Sequence, residues 1–260
     1  VLSEKREDTI SSLKSANNKL KKDIKQKEKV EEMRQEFLSN VTHELKTPIA
    51  LIQGYAEGLK DNIQGDEESR QFYCEVIMDE AAKMNNMVKR LLSLSELEFG
   101  DSKLQFDRFD IISVLNSVVG SMNMVYKQKN VISKMSDVKS CYVWADEYLV
   151  EEVITNYVSN ALNHVEEDSN GEKIISICVK KSDSIVRISV FNTGKPIPEE
   201  AIDRIWDKFY KVDKARTREY GGNGIGLSIV KAIMNSLNRE CGVKNWDNGV
   251  EFWFELDTKA

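Results

Sequence analysis

Ser39-Asn40-Val41-Thr42-His43-Glu44-Leu45-Lys46-Thr47-Pro48 sets one of only 2 histidines in this 260-residue chain on a helix, beside that helix's apolar stripe. Val41 and Leu45 continue the stripe, and His43 falls between them in angle, so its imidazole is predicted to face solvent. Near neutral pH one ring nitrogen is unprotonated and can attack phosphorus without a strong base. Glu44 is long enough to reach the other ring nitrogen, fix the tautomer and accept its proton. Pro48 cannot donate to the carbonyl of Glu44 and is predicted to bend or loosen the helix one turn past the histidine. An exposed helical histidine alone is ordinary surface decoration; the ten residues around it favour the reactive reading.

Upstream, Ile10, Leu13, Leu20 and Ile24 have coiled-coil spacing once Asn17 is allowed one slot. The stripe falters at Lys27 and resumes as Val30, Met33, Phe37, Val41, Leu45 and Ile49. Its flanks are charged, and so narrow a stripe needs a partner, for which a parallel second copy is the simplest choice. A homodimer is therefore expected. Residues 61–66, with Gly65, break the pattern before a second helix carries Phe72, Val76, Ile77, Ala81, Met84, Val88, Leu91 and Leu92. Two such hairpins make a four-helix bundle, bounded near Gly100 and Asp101. The predicted organisation is a coiled-coil linker (1–30), a helical hairpin (31–100) and a C-terminal domain (101–260).

Past Gly100 the period changes to two: Val186, Ile188 and Val190 alternate with Arg187 and Ser189, as do Ile175, Ile177 and Val179 with their neighbours. Asp247-Asn248-Gly249 between residues 242–246 and 250–256 marks a hairpin. Helices are predicted over 110–126, 147–165, 199–208 and 227–237. The order fits an antiparallel or mixed sheet with helices on one face, an α+β arrangement.

Composition narrows the function classes. Apolar content of 41% is enough for a substantial core. A net charge of −6 argues against nucleic acid or an anionic membrane as the main partner. Cys74, Cys141, Cys178 and Cys241 form no CxxC pair, which disfavours structural zinc and suits free thiols in packing roles. No segment reaches the ~20 apolar residues of a spanning helix, so the chain is expected to be soluble. It starts at Val1 inside a charged helical pattern, as though cut from a longer protein.

Two clusters point to a nucleotide. On the helix that Asp146 can cap, Val150, Val153, Ile154, Tyr157, Val158, Ala161 and Leu162 form an apolar face, while another face carries Glu152, Asn156, Asn160, Asn163 and His164. Asn is a poor helix former, so such a face serves hydrogen bonding or metal coordination. Its neutral amide oxygens suit Mg²⁺ beside an anionic triphosphate. A solvated face is the plain alternative, though it usually favours Lys and Glu. Gly221-Gly222-Asn223-Gly224-Ile225-Gly226 precedes an apolar-periodic helix beginning near Leu227, where backbone amides can cradle phosphates. A glycine loop is also an ordinary turn, and there is no Walker lysine and no Rossmann strand before it. In Phe191-Asn192-Thr193-Gly194-Lys195-Pro196-Ile197, Asn192 can pair with an adenine edge and Gly194 permits close approach, a plain turn being the alternative. Lys214, Arg216 and Arg218 can close over phosphates as a lid.

Together, the histidine stretch, the Asn helix, the two glycine elements and Ile205-Trp206-Asp207-Lys208-Phe209-Tyr210 resemble, in order, the sensor histidine kinases of bacterial two-component systems. The resemblance covers nearly the whole chain. It implies a dimerisation and histidine-phosphotransfer bundle followed by an α/β sandwich ATPase of the Bergerat type, shared with type II topoisomerases, the 90 kDa heat-shock chaperone and mismatch-repair ATPases. It implies ATP and Mg²⁺ as cofactors, with Asn160 on the metal, Asn156 on phosphate and Phe209 near the lid. Asn163, His164, Ile197, Gly222, Gly224, Ile225, Gly226 and Leu227 complete the expected nucleotide site. It further implies autophosphorylation of His43, transfer to an aspartate of a response regulator, and a phosphatase role for Thr47. The N-terminal helix resembles a linker following a transmembrane helix, placing the chain on the cytoplasmic side of a membrane sensor. Two departures stand out. The family usually has Asp where Asn192 stands, and a basic residue common at Asn163 is missing. A nucleotide-gated dimeric scaffold without phosphotransfer is the alternative of a different class, and a plain coiled-coil adaptor explains residues 1–98 alone.

Overall fold

The computed structural model describes residues 2–61, 66–99, 104–212 and 224–259. The chain separates into two compact units, Val1–Met84 and Asn85–Ala260. In the first, helix α1 (Leu2–Lys60) runs through Pro48 without a break, and α2 (Glu67–Phe99) begins there, its residues from Asn85 onward belonging to the second unit. Asp66 accepts at 2.7 Å from the Ser69 amide, satisfying an orphan donor where α2 begins. The rings of Tyr55 and Tyr73 meet edge to face at 5.1 Å, and Phe72 stands edge-on to Tyr55 at 6.2 Å. Leu20, Leu38, Ile49, Leu51, Phe72 and Met78 remain exposed in a single copy. The side chains of Ile10, Leu13, Val30 and Met33, and residues 62–65 and 100–103, lie outside the described residues.

In the second unit, the described strands are β1 (Asp107–Asp110), β2 (Val131–Met135), β3 (Tyr142–Ala145), β4 (Lys173–Ser182), β5 (Ile185–Thr193), β6 (Cys241–Trp246) and β7 (Gly249–Asp257). They form one sheet in the order β1-β3-β7-β5-β4-β2, with β6 also paired to β7. The pairings are antiparallel except β2 with β4, so the sheet is mixed. Helices α3 (Ile111–Ser121), α4 (Asn123–Gln128), α5 (Glu147–His164) and α6 (Gly226–Ser236) complete the unit.

Alternation explains the core. Ile175, Ile177 and Val179 of β4, Val186, Ile188 and Val190 of β5, and Val250, Phe252, Phe254 and Leu256 of β7 are buried. Helix α5 buries all seven apolar residues of its predicted face and packs on α3, α6 and β5. Its N-cap is Asp146, whose Oδ1 accepts from the Leu149 amide at 3.2 Å. Tyr157 lies wholly buried against Phe252 and Phe254, with ring centroids at 5.4 and 6.0 Å, and donates its hydroxyl to the Trp253 carbonyl at 3.2 Å.

Several expectations need correction. The helix predicted over 110–126 is two helices, because the Met122 amide closes on the Val119 carbonyl at 3.2 Å, a bond three residues back that ends α3. The helix predicted over 199–208 is two single 3₁₀ turns, Glu199–Ala201 and Arg204–Trp206. Each turn closes on a bond three residues back, Ile202 to the Glu199 carbonyl at 3.3 Å and Asp207 to the Arg204 carbonyl at 2.9 Å; Asp207 is already extended, and beyond it Phe209 adopts φ 63° with its amide donating to the Gly224 carbonyl at 2.8 Å. Strands β1, β2 and β3 went unpredicted. Two have only 4 residues, and β2 is too exposed to alternate. All four cysteines are free thiols, but Cys74 is exposed and so has no packing role. Among the described residues no helix is long and apolar enough to cross a membrane.

Truncating Ile188, wholly buried in a central strand, should leave a cavity that neighbours fill only in part. Ile188→Ala is expected to lower unfolding free energy by about 2–5 kcal/mol in urea denaturation.

Candidate nucleotide site and phosphoacceptor helix

The candidate site lies where α6 begins against the asparagine face of α5. Asn156 Nδ2 donates to the Glu152 carbonyl one turn back at 2.9 Å. A carbonyl can only accept, so that bond fixes the amide and directs Oδ1 the other way. Oδ1 meets Gly226, the first residue of α6: a Cβ there would lie 2.8 Å from it. The amides of the first turn of α6, which have no partner within the helix, therefore sit beside the Asn156 carboxamide, and a helix N-terminus of this kind favours an anion. Ile225 is wholly buried, and Ser228 donates back to its carbonyl at 2.8 Å, holding that turn. Asn160 lies one turn beyond Asn156 on the same face and is half-buried, as are Asn163 and Leu227, while His164 is exposed.

Phe209 and Gly224 press backbone to backbone. Gly224 has φ 66°, a Cβ there would come 2.8 Å from the Phe209 carbonyl carbon, and the two residues share the hydrogen bond already described. Only glycine fits this left-handed, crowded position. The two ends of the segment 210–223 are thus tied together at its base. Lys214, Arg216, Arg218 and Gly222 of that segment lie outside the described residues.

Near the end of β5, Asn192 is 3% exposed and donates from Nδ2 to the Thr193 carbonyl at 3.1 Å. The same logic turns its Oδ1, an acceptor, away from that carbonyl. Thr193 is more deeply embedded: its hydroxyl donates to the Glu166 carbonyl at 2.6 Å and accepts from the Ile174 amide at 3.1 Å, and its carbonyl accepts from the Glu166 amide at 2.9 Å. Gly194 follows with φ 149°, and a Cβ on it would lie 2.9 Å from the His164 carbonyl. The end of α5 and the end of β5 therefore face each other with no room for a side chain. Ile197 is held by Asn245, whose Oδ1 accepts from the Ile197 amide at 2.9 Å while its Nδ2 donates to the Ile197 carbonyl at 2.7 Å. Lys129 donates to the Leu162 carbonyl at 2.8 Å in the last turn of α5. Desolvation, and after it the charge of Lys173, push the Lys129 ammonium below its ordinary 10.5.

Sequence reading missed Thr193, Glu166, Lys129 and Asn245. Their partners stand 19 to 48 residues away in the chain, and no local pattern signals such pairs. Among the described residues no group of three or more His, Cys, Asp or Glu is gathered as a metal cage. One Asn oxygen fits Mg²⁺, which keeps several waters and takes most of its remaining ligands from substrate phosphates.

In the helical unit His43 and Thr47 are exposed, while Val41, Glu44 and Leu45 are half-buried. The Thr42 hydroxyl is occupied by the Leu38 carbonyl at 2.8 Å. The outward imidazole is where the sequence put it.

A fold with this helix-on-sheet site defines an ATPase-type nucleotide domain, and residues 145–260 match the family described as "Histidine kinase-, DNA gyrase B-, and HSP90-like ATPase". Residues 33–100 match the "His Kinase A (phospho-acceptor) domain". Sensor histidine kinase WalK of Bacillus subtilis is 30% identical over 214 residues, covering 82% of this chain and 35% of that protein. Sensor protein kinase WalK of Staphylococcus aureus is 32% identical over 231 residues, covering 88% and 54%. Among solved structures, histidine kinase ThkA in complex with response regulator protein TrrA superposes with a TM-score of 0.67 at 27% identity, covering 86% of this chain and 61% of that one. Acinetobacter baumannii histidine kinase AdeS shares the fold, with a TM-score of 0.66 at 21% identity, covering 84% of this chain and 98% of that one. The chain belongs to the two-component sensor histidine kinases, and it spans 35% and 54% of the lengths of the two WalK relatives.

Glu152, one turn before Asn156, lies 3.5 Å from the Ser93 hydroxyl near the end of α2, where Leu94 is buried. Burial pushes its carboxyl above the ordinary 4.5, against the opposing pull of Ser93 and Arg90. The folded state then binds the proton more tightly than the unfolded one, so stability falls as pH rises from about 4.5 through the raised value. Glu152→Gln should therefore melt at a higher temperature than the parent at pH 7, with the difference vanishing below about pH 4 in thermal scans.

Proposed function

We propose that this chain is an ATP-dependent protein histidine kinase acting as a homodimer, with a linker at 1–30, a phosphotransfer hairpin at 31–100 and a catalytic domain at 101–260. The observation that carries the reading is the start of α6 against the Asn156 side of α5. It sets the first-turn amides of a helix beside the Asn156 carboxamide, and a helix N-terminus suits a triphosphate better than an ordinary surface does. The apolar residues left exposed on α1 and α2 supply the seam for a second copy.

In the proposed reaction an unprotonated ring nitrogen of His43 forms a bond to the γ-phosphorus of ATP. The P–O bond to the β-phosphate breaks and ADP leaves with its electron pair. Glu44 takes the proton from the other ring nitrogen as positive charge develops there. The first amides of α6 and the second Nδ2 hydrogen of Asn156 donate to phosphate oxygens, Asn192 receives the adenine amino group on Oδ1, and water is limited by Ile197 and Phe209. Asn163, His164, Leu227 and Gly222 line the same site, with Lys214, Arg216 and Arg218 neutralising phosphate charge. Mg²⁺ held by Asn160 supplies charge neutralisation on the triphosphate. The phosphoryl group then passes from His43 to an aspartate of a response regulator. In the reverse sense Thr47, exposed one turn past His43, orients a water against the regulator's phosphoaspartate. The setting is the cytoplasmic side of a membrane sensor.

Incubation with γ-labelled ATP and Mg²⁺ tests the kinase. Acid-labile, alkali-stable label is expected on the parent and none on His43→Gln. ATP binding without label on either protein would instead establish the nucleotide-gated scaffold, a reading that the amide at Asn192 favours. Thr47→Ala is expected to keep autophosphorylation within about twofold while dephosphorylation of the regulator falls by at least about tenfold; parallel loss of both would remove Thr47 from the phosphatase role.

A further inference from the structure

Asn245 lies on β6, facing away from the exposed Lys244 and Trp246, and is paired in register with Val250 of β7. Its carboxamide makes two hydrogen bonds to one residue of a distant loop, accepting from the Ile197 amide at 2.9 Å and donating to the Ile197 carbonyl at 2.7 Å. That pattern is what a neighbouring strand offers a residue in an antiparallel ladder. Here a single side chain supplies it, reaching 48 residues along the sequence.

The loop has few other means of being held. Pro196 and Pro198 flank Ile197 and carry no amide hydrogen, so Ile197 provides the only backbone donor of that tripeptide. Three residues earlier the Gly194 amide donates to the Asn248 carbonyl at 3.0 Å, in the turn between β6 and β7. Both anchors of the stretch from Gly194 to Ile197 thus come from one hairpin. That hairpin has its own tight constraint: a Cβ on Gly249 would strike the Asn192 carbonyl and the Phe191 ring. The start of β7, in the hairpin that carries Asn245, and Asn192, the residue proposed to meet the base, are therefore held in close contact.

We infer that Asn245 is a positioning residue for nucleotide binding, fixing the loop from Gly194 to Ile197 against the base and sugar side of the site, an inference that rests on the nucleotide-site reading above. It touches no substrate and acts through the backbone of Ile197. Its two hydrogen-bonding atoms determine which replacements suffice. Asp keeps the acceptor for the Ile197 amide but sets a carboxylate oxygen against the Ile197 carbonyl. Ala removes both bonds. Neither change alters the sheet register, which the backbone of β6 maintains.

The test uses the full chain and three measurements: exchange of the Ile197 amide by NMR, ATP affinity by calorimetry, and the kcat and KM of His43 labelling. In Asn245→Ala, faster exchange at Ile197 is expected, with KM and Kd for ATP raised about five- to tenfold and kcat within about twofold. Asn245→Asp should resemble Ala rather than the parent. A parent that binds ATP beside an Ala variant with unchanged Kd and KM overturns the positioning role, as does a fall in kcat alone matching a lost folded fraction in thermal scans. A parent that binds no ATP overturns the nucleotide-site reading itself and the role of Asn245 with it, even where the Ile197 amide exchanges faster.

Discussion

The packing of Tyr157 is the contact on which the site depends. Its ring is sealed between α5 and the rings of Phe252 and Phe254, and its hydroxyl reaches the backbone of β7. A side chain held at both ends fixes the rotation of the helix as well as its distance from the sheet. Asn156 precedes it by one residue and Asn160 follows it by three, so the direction of the amide face is settled by a bond that contains no functional atom. Turning α5 by one residue would bury an amide and expose an isoleucine or valine, and the desolvation cost forbids it.

The same economy governs the edges of the site. Gly226 lets α6 begin within contact of Asn156, and Gly224 lets two backbones touch at the base of the segment 210–223. These residues supply no chemistry of their own. Close approach at a few positions brings a helix start, an asparagine face and a strand end together into the surface proposed to bind phosphate. The phosphoacceptor role proposed for His43 has the opposite requirement. His43 must project from a helix into solvent, and the apolar stripe beside it leaves the imidazole out of any core. One chain thus carries a proposed nucleotide site built by packing and an outward histidine built by periodicity.

Legibility in the sequence followed the range of the interaction. The alternation of β4, β5 and β7, the cap at Asp146 and the full apolar face of α5 were readable, because each is a pattern over adjacent residues with a fixed period. Helix 199–208 was misread because its apolar spacing suits a helix, whereas its turns close three residues back and Phe209 beyond them meets Gly224, fifteen residues away. Strand β2 escaped notice because an exposed edge strand has no face to bury and so no alternation to display. In the site, glycines and asparagines were visible as types in clusters, but not which amide atom faces which carbonyl.

By itself the sequence determined the family, the helical hairpin with an outward His43, the helix-on-sheet class of the second domain and the asparagine and glycine clusters. Those follow from residue type and short period, which act within a few residues of chain. Only the tertiary structure decided the orientation of the Asn156 and Asn192 amides, the anchoring of Ile197 by Asn245 and the embedding of Thr193. Hydrogen bonds across 27 to 48 residues depend on which elements the collapsed core brings together, and that is a property of the packed sheet and helices as a whole.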